Sequence, residues 1–356
     1  MIMDDRVAPF LPEEIIRNIL KRLPVKSLMR FQCVCKHWKN LFKCPSFIAD
    51  HFHHSSHQNP LLLLQPEREG QYISHLYLLD REMQVHDLSN LFDAMRIIGS
   101  CNGLLCVEID VQGFGFSPMV NDYKIVRTYA EYKDSIYQVE VYSLSTRSWK
   151  EVEFDYMAGT RFVNDAITAN GSMFWIGLLE DWEMGGDDIE VVVSFDIALE
   201  LFEFVPIPAL GNNAMFHMMV YEDKLAIHSL VRDADPGCIF DLWVMEENIG
   251  ASCGERRSWT KIFSSTCSAV GLFIPFPSIF WGDELVYNIH ELPGLDGETK
   301  SEAENGARTV LYLLNISTNK FKIFNTRKCS TWPARIFNYA QSLVPVSKIP
   351  IEEPSS

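Results

Sequence analysis

Two short sequence patterns alternate along most of the chain, and together they limit its fold more than any other feature does. In the first pattern, a small polar residue lies six positions before an aromatic residue. The three clear copies pair Ser143 with Trp149, Asp196 with Phe202, and Asn315 with Phe321. This spacing predicts a strand, a turn of about four residues, and a returning strand that buries the aromatic ring.

A fourth copy of the first pattern joins Leu242–Met245 to Ser258–Ile262, with an insertion of polar residues between them. The second pattern is a two-residue turn signal followed by apolar residues, and it begins at Asn102-Gly103, Asn170-Gly171, Glu222-Asp223 and Gly282-Asp283. The two patterns together repeat about every 50 residues, and four strands per repeat are typical of a kelch-like β-propeller. A large irregular β-sandwich is the alternative fold.

The first 52 residues have a helical pattern instead. Large apolar residues recur at the spacing of one helix face, at Ile15, Ile16, Ile19, Leu20 and Leu23. Pro12 fits the first turn of this helix and Pro24 ends it. Further apolar spacing predicts helices from Lys26 to Val34 and from Lys36 to Phe42, followed by a short terminal turn. The predicted fold class is therefore α+β, with a three-helix module before a mostly-β propeller.

Charge divides the chain at the same place. Residues 1–52 have nine basic and five acidic side chains, whereas the remaining residues have 22 basic and 42 acidic ones. The change in sign and the polar, His-rich composition that follows predict a linker at residues 53–60. The net charge of −16 argues against a nucleic-acid or membrane-surface partner. The longest apolar stretch, Gly271–Trp281, is too short to cross a membrane and contains two prolines.

The cysteines and the first residues indicate an intracellular protein. The nine cysteines are odd in number and form no C-x-x-C pair, so reduced thiols are expected. The beginning of the sequence lacks the apolar core of a secretion signal. We therefore expect the cytoplasm, the nucleus or both as its location.

The helical module carries more apolar surface than it can bury by itself. A unit of about 40 residues usually needs a staple or a partner to be stable. The excess surface predicts either an interface with another protein or a cap that docks on the larger domain. The residues alone favour neither of the two.

Specific motifs in both regions resemble a known family. Leu11–Ile16, Leu23–Phe31 and Val34–Trp38 resemble a plant F-box, which would span residues 10–52. Further segments resemble the plant F-box-associated interaction domain, and they are residues 99–106, 113–116, 121–127, 139–144 and 148–150. Within that family the sequence is most similar to S-locus-F-box-like and F-box/kelch-repeat members.

The resemblance implies a substrate receptor of a Skp–cullin–F-box ubiquitin ligase, without catalytic residues or a cofactor of its own. Residues 10–52 would bind a Skp-type adaptor and through it a cullin scaffold, residues 61–345 would bind a target protein for ubiquitination, and residues 346–356 would be a disordered tail. The implied adaptor-binding residues are Leu11, Pro12, Ile16, Leu20, Pro24, Leu28, Val34 and Trp38. Trp38 is expected to contribute most, because buried Trp anchors dominate many interfaces. Its alternative role is a core ring within the module.

One segment departs from the family pattern. Only five residues separate Val107 from Gly113, where the family has room for a further hairpin. A missing hairpin predicts unpaired strand edges in the β domain. An adaptor-binding chain with a defective target domain is therefore an alternative function.

Residues with catalytic or metal-binding chemistry are few. The cluster His51, His53, His54 and His57 lacks the further ligands of a zinc site, so no metal is expected. The candidate target-binding residues form an acidic run at Asp181, Trp182, Glu183, Asp187 and Asp188, with residues 246–257 and 291–308 as further candidate loops on the same rim. These acidic residues favour a basic target, such as the ribonucleases that S-locus-like relatives bind. Their alternative use is acid–base catalysis in a carbohydrate-active propeller enzyme.

Overall fold

The structure of the protein is a computed structural model. The residues that it describes are 11–58, 60–68, 71–72, 76–88, 96–107, 111–130, 134–154, 157–179, 188–210, 214–232, 238–247, 257–267, 277–291, 308–325 and 334–344. They form two compact units. The helical unit contains the described residues within 1–61, 102–104 and 339–356, and the β unit contains those within 62–101 and 105–338. The predicted tail, residues 346–356, lies outside the described residues.

Four helices make up the helical unit. They are α1 (Glu13–Leu20), α2 (Val25–Phe31), α3 (Lys36–Leu41) and α4 (Pro45–Gln58). The first three agree with the predicted helices to within a few residues. None of the helices in the described part of the chain is long and apolar enough to cross a membrane.

Helix α4 corrects two predictions, because it replaces the short terminal turn and extends through most of the predicted linker at residues 53–60. Its polar composition is a weak helix signal, but one face packs into the core of the unit. Phe47 and His51 are four residues apart and are both buried. The Nε2 atom of His51 lies 2.9 Å from the carbonyl oxygen of Leu23, and Arg17 donates to Asp50 over 3.1 Å. Tertiary packing of this kind stabilises helices whose intrinsic propensity is modest.

The β unit contains five antiparallel sheets and one hairpin. The first sheet has the order β2 (Gln71–Tyr72), β1 (Leu61–Arg68), β3 (Tyr77–Leu79), β4 (Val85–Asp87), with β24 (Ala334–Tyr339) also paired to β1. The two-stranded hairpin is β5 (Ile97–Cys101) with β6 (Leu104–Val107). The second sheet contains β7 (Val111–Ser117), β8 (Asp122–Ala130), β9 (Ile136–Ser143) and β10 (Ser148–Val152).

The other three sheets follow in chain order. The third contains β11 (Arg161–Phe162), β12 (Ile167–Ala169), β13 (Ser172–Leu179), β14 (Ile189–Asp196) and β15 (Leu201–Val205). The fourth contains β16 (Met215–Tyr221), β17 (Lys224–Arg232), β18 (Cys238–Glu247) and β19 (Arg257–Cys267). The fifth contains β20 (Pro277–Trp281), β21 (Glu284–Glu291), β22 (Arg308–Asn315) and β23 (Lys320–Asn325).

Successive sheets share their hydrophobic cores, which makes the unit a five-bladed propeller and confirms the predicted fold class. Trp175 of the third sheet packs with Val141 of the second, and Phe174 packs with Met218 of the fourth. The fourth and fifth sheets share a cluster around Leu242, and the fifth and first share one around Trp281. Four pairs of successive sheets are therefore packed through a shared apolar core.

The short segment after Val107 does not remove a strand from a blade. Strand β7 follows hairpin β5–β6 and is paired with β8 in a sheet of four strands. A hydrogen bond joins the hairpin to β24, in which Ser100 Oγ donates to the carbonyl oxygen of Asn338 over 2.9 Å. The described residues therefore contain complete blades, and the predicted defect of the β domain is not seen in them.

The hairpin turns explain the six-residue spacing of the first pattern. Asp196 Oδ1 accepts the backbone N–H groups of Ala198 and Leu199, each over 2.8 Å, and Glu200 takes a left-handed φ of 56°. A four-residue turn results, after which Phe202 pairs with Phe195. The equivalent left-handed positions in the other copies are Arg147 and Asn319.

The predicted burial of the rings is only partly correct. Phe202 is buried, Trp149 is half-buried, and Phe321 is 58 % exposed. The turn fixes where the ring falls along the strand, but the neighbouring blade decides whether that face is covered. Phe202 and Phe321 both lie on the outer strand of their sheet, but only Phe202 belongs to a core shared with a neighbouring sheet.

A buried carboxylate links three distant segments of the β unit. Asp165, just before β12, accepts from Arg96 over 2.5 Å and also from Arg335 on β24. Arg335 donates in addition to the carbonyl of Ile97 over 2.8 Å. The side chain of Asp165 is only 6 % exposed, so the effective dielectric constant around its ion pairs is lower than in water and their electrostatic interaction is stronger.

We predict that Asp165→Asn destabilises the β unit by about 3 kcal/mol, because it leaves two partly buried guanidinium groups without their carboxylate. The matched control is Lys150→Ala. Lys150 is 69 % exposed, and its partner Glu200 keeps the ion pair with Lys124. We expect this control to change stability by less than about 1 kcal/mol.

The measurement is urea unfolding of the full chain, followed by tryptophan fluorescence. Trp175 and Trp281 are fully buried in the β unit and report on its unfolding. Equal unfolding midpoints for Asp165→Asn and Lys150→Ala would show that Asp165 does not join these segments.

His228 predicts how stability depends on pH. Burial and the charge of the neighbouring His217 together lower the pKa of this His to about 4. The unfolded chain therefore takes up a proton near the ordinary His pKa of about 6.5, while the folded chain does not. The contribution to stability is present above about pH 6.5 and is lost as the pH falls toward 4.

We expect this group to remove about 2 kcal/mol of unfolding free energy between about pH 7 and pH 5. His228→Gln should flatten the pH dependence by that amount, as measured by urea unfolding at each pH. His37→Gln, at an exposed position of the helical unit, is the control. The same slope in the wild type and in His228→Gln would contradict the prediction.

Candidate partner-binding surfaces

Helix α1 presents apolar side chains on two of its faces. Leu20 is buried in the core of the helical unit, whereas Leu11, Ile15 and Ile19 are 52 %, 46 % and 49 % exposed. Ile15 and Ile19 are about one helical turn apart, which places their side chains on one side of α1. Leu11 precedes the helix and lies next to its N-cap residue Pro12. We call Leu11, Ile15 and Ile19 the α1 stripe. No described residue of the helical unit covers it.

The core of the helical unit explains why the α1 stripe stays outside. Its buried members are Leu20, Leu28, Leu41, Phe42, Phe47 and Leu343. Trp38 packs against this core, with its ring centroid 5.8 Å from that of Phe31 and 6.5 Å from that of Phe42. Trp38 is half-buried, so it is a core ring with one exposed edge.

The predicted adaptor-binding residues therefore fall into three classes. Leu11, Pro12, Pro24 and Val34 are exposed, and Ile16 and Trp38 are partly buried. The prediction that Leu20 and Leu28 lie on the binding surface is wrong, because these two are 2 % and 0 % exposed and belong to the unit's own core.

Sequence reasoning missed three exposed apolar residues, namely Ile15, Ile19 and Met29. The signal was available, since Ile15 and Ile19 lie four residues apart. The apolar surface of α1 is wide, because it includes Ile15, Ile16, Ile19 and Leu20. Part of it can face the core while the rest faces outward, and spacing alone does not tell which part is covered.

The part of the sequence that contains the α1 stripe is rich in basic residues. Residues 11–52 contain eight basic and three acidic side chains. Arg22, Lys26, Lys36 and Lys39 are exposed, while Arg17 is paired with Asp50. The helical unit thus combines an apolar stripe with a positive surface, which suits an acidic partner.

The His cluster of α4 has structural contacts. His51 is buried, and the rings of His53 and His57 lie 4.3 Å apart. Burial, together with the charges of Arg22 and Lys21, lowers the pKa of His54. Within the described parts of the chain, no group of three or more His, Cys, Asp or Glu residues could hold a metal ion.

The acidic run on the β unit falls mostly outside the described residues. This applies to Asp181, Trp182, Glu183 and Asp187. Asp188 is described, is exposed, and forms an ion pair with Arg161. Its carboxylate is thus already used within the third sheet.

The loop connections also correct the prediction of a single rim. Residues 180–188 connect β13, which ends at Leu179, to β14, which begins at Ile189. Residues 292–307 connect β21 to β22 in the same way. Residues 248–256 instead connect β18 to β19. Antiparallel strands turn at alternate ends, so β18 ends and β19 begins at the opposite end of the blade from the strand ends that flank the other two connections. The candidate loop residues 248–256 and 292–307 themselves lie outside the described residues.

One cleft of about 410 Å³ is present between described residues of the β unit. It is lined by Tyr221, Glu222, Lys224, Val244, Glu246, Ile262, Phe263, Ile316 and Ser317. Lys224 is paired with Glu246, whose carboxylate oxygens lie 2.8 and 2.6 Å from Nζ. Burial and the charges of Glu222 and Asp283 raise the pKa of Tyr221, which keeps its hydroxyl protonated. The cleft thus has an apolar wall and carboxylates at its edge.

Comparison with known families agrees with both units. Residues 92–346 match the F-box associated beta propeller domain, and residues 9–49 match the F-box domain. The chain belongs to the F-box-associated β-propeller family. In this F-box protein the F-box match covers α1, α2, α3 and the start of α4, and the propeller match covers β5 to β24, whereas β1 to β4 precede it.

Several curated relatives from Arabidopsis thaliana are named as F-box proteins. F-box/kelch-repeat protein At3g23880 is 25 % identical, with 71 % of this chain and 79 % of that protein covered. F-box protein CPR1 is 26 % identical over 71 % of this chain and 72 % of its own length. F-box/WD-40 repeat-containing protein 1 is 24 % identical, with 97 % of this chain and 91 % of that protein covered. The resemblance to plant F-box/kelch proteins is thereby confirmed.

The division between core and surface residues in the helical unit can be tested by stability. We predict that Leu28→Ala costs about 3 kcal/mol, because it opens a cavity in a closed core. Val34→Ala, at a position that is 59 % exposed, should change stability by less than about 0.5 kcal/mol. Circular dichroism at the helix band during urea unfolding of the full chain measures both. Similar costs for the two variants would contradict the assignment.

Proposed function

We propose that this F-box protein is the substrate receptor of a Skp–cullin–F-box ubiquitin ligase and takes no part in the ubiquitin chemistry itself. The observation that carries the proposal is the α1 stripe, which lies within the region that matches the F-box domain. An apolar helix face without a partner in its own unit indicates that another polypeptide covers it.

The proposed adaptor surface consists of the α1 stripe with the other exposed apolar residues of the F-box. Its members are Leu11, Pro12, Ile15, Ile19, Pro24, Met29 and Val34. Trp38 contributes through its exposed edge and holds α3 against the core. Leu20 and Leu28 act from within, because they fix the position of α1 and α2.

Charge supports an acidic adaptor of the Skp type. The F-box is positive while the rest of the chain is strongly negative. Opposite charges across an interface speed association and select the partner, whereas apolar contacts supply most of the affinity. A positive F-box attached to an acidic propeller would therefore meet an acidic adaptor through the F-box and not through the propeller.

The propeller is the proposed target-binding domain. Residues 53–356 contain 22 basic and 42 acidic side chains, which favours a basic target protein. A cullin scaffold would be reached through the adaptor. The ligase would act in the cytoplasm, the nucleus or both, and neither nucleic acid nor a membrane is a proposed partner.

Co-expression with a Skp-type adaptor tests the proposal. We predict that the wild-type chain co-purifies with the adaptor and that the double variant Ile15→Asp, Ile19→Asp weakens binding by about 100-fold or more, because it places two charges in an apolar contact. These residues are better probes than Trp38 or Leu20, whose loss would also damage the core. Binding is measured by calorimetry or by surface-immobilised adaptor.

The matched control is Met119→Asp. Met119 is 81 % exposed and lies in the β unit, so the same chemical change at this position should leave adaptor binding unchanged. The proposal fails if the wild-type chain forms no complex, or if the double variant is as folded and as tightly bound as the wild type.

A further inference from the structure

The cleft of the β unit contains a backbone irregularity that directs two neighbouring side chains into it. Strands β18 and β19 pair regularly except at one position, where Leu242 is opposite Phe263 and Trp243 is opposite Lys261. Ile262 is therefore an extra residue, and the strand has a β-bulge there. Successive side chains of a regular strand point to opposite faces, yet Ile262 and Phe263 both line the cleft. The bulge makes this possible.

The two neighbouring side chains at the bulge differ in how far they are covered. Phe263 packs toward the core shared by the fourth and fifth blades, together with Val244 and Ile316. Ile262 has no such cover and is 42 % exposed. Bulges that re-aim a side chain are enriched next to binding sites. The cleft volume also lies within the range of about 300–1,000 Å³ that is typical of ligand sites.

The charge at the edge of the cleft is negative. Lys224 is occupied by Glu246. Glu222 and Asp283 both lie close enough to Tyr221 to act on its hydroxyl, and no ion pair joins either carboxylate to a cation of the described residues. A ligand that brings a cation next to an apolar group would complement both features.

We propose that this cleft binds an extended segment of the target protein in which a large apolar side chain lies next to a lysine or arginine. The apolar side chain would contact Ile262, Phe263 and Ile316, and the cation would pair with Glu222. This inference rests on the proposed function, and it assigns target binding to the end of the fourth blade where β16 turns into β17.

The position differs from the acidic run that the sequence suggested. The cleft lies at the end of its blade where β18 leads toward β19. Asp188 instead lies directly before β14, in the connection from β13. These two locations are at opposite ends of the blades. A variant in one location therefore tests that location separately from the other.

The test uses the full chain co-purified with its Skp-type adaptor. Short random peptides displayed on phage are selected on the wild-type complex, and single peptides are then measured against variants by fluorescence anisotropy. We expect the selected peptides to share an apolar residue next to lysine or arginine. Ile262→Asp and Glu222→Lys should each weaken their binding by about tenfold or more. Added salt should weaken the wild-type interaction.

The matched controls carry the same changes on another blade. Leu201→Asp and Glu190→Lys alter exposed residues of the third sheet and should bind the peptides as the wild type does. The inference is overturned if no peptide is enriched, if the enriched peptides lack the expected pair of residues, or if the cleft variants bind as tightly as the controls. Co-purification of the adaptor is scored in the same samples, so failure at the cleft is distinguishable from failure of the F-box.

Discussion

Apolar surface must be covered, and this single constraint shapes both units of the protein. In the β unit, apolar cores lie between successive sheets from the second to the fifth, and a further core lies between the fifth sheet and the first. Strand β24 is paired with β1, so the last strand of the unit completes the first sheet. The helical unit has no such arrangement. Its helix α1 carries two apolar faces, and its own core covers only one of them.

Function follows from that difference between the units. A propeller that satisfies its own cores presents turns and strand edges to solvent, which are suited to recognising another protein. A helical unit with an uncovered apolar stripe is suited to binding a second polypeptide.

The sequence predicted the turns well because they depend on local chemistry. A side chain such as Asp196 accepts hydrogen bonds from the following backbone, and this sets the six-residue spacing wherever it occurs. The helix limits near Pro12 and Pro24 are local in the same sense. Burial was harder to predict, since it depends on which element packs where. Phe202 and Phe321 occupy equivalent positions, yet only Phe202 is covered.

The same reason explains the errors in the candidate sites. Leu20 and Ile19 are adjacent and equally apolar, and only the packing of the unit shows that the first is core and the second is surface. Helix α4 depends on the burial of Phe47 and His51, and its polar sequence does not predict that burial. The cleft at Ile262 depends on a bulge, which a strand pattern cannot reveal.

Hydrogen exchange at the α1 stripe tests the central claim most directly. The full chain is compared with its complex with a Skp-type adaptor, and backbone amide exchange is followed by mass spectrometry. The account predicts strong additional protection across residues 11–20 in the complex, and none of comparable size in the blades. Protection that leaves this segment unchanged, in a complex that has formed, would contradict it.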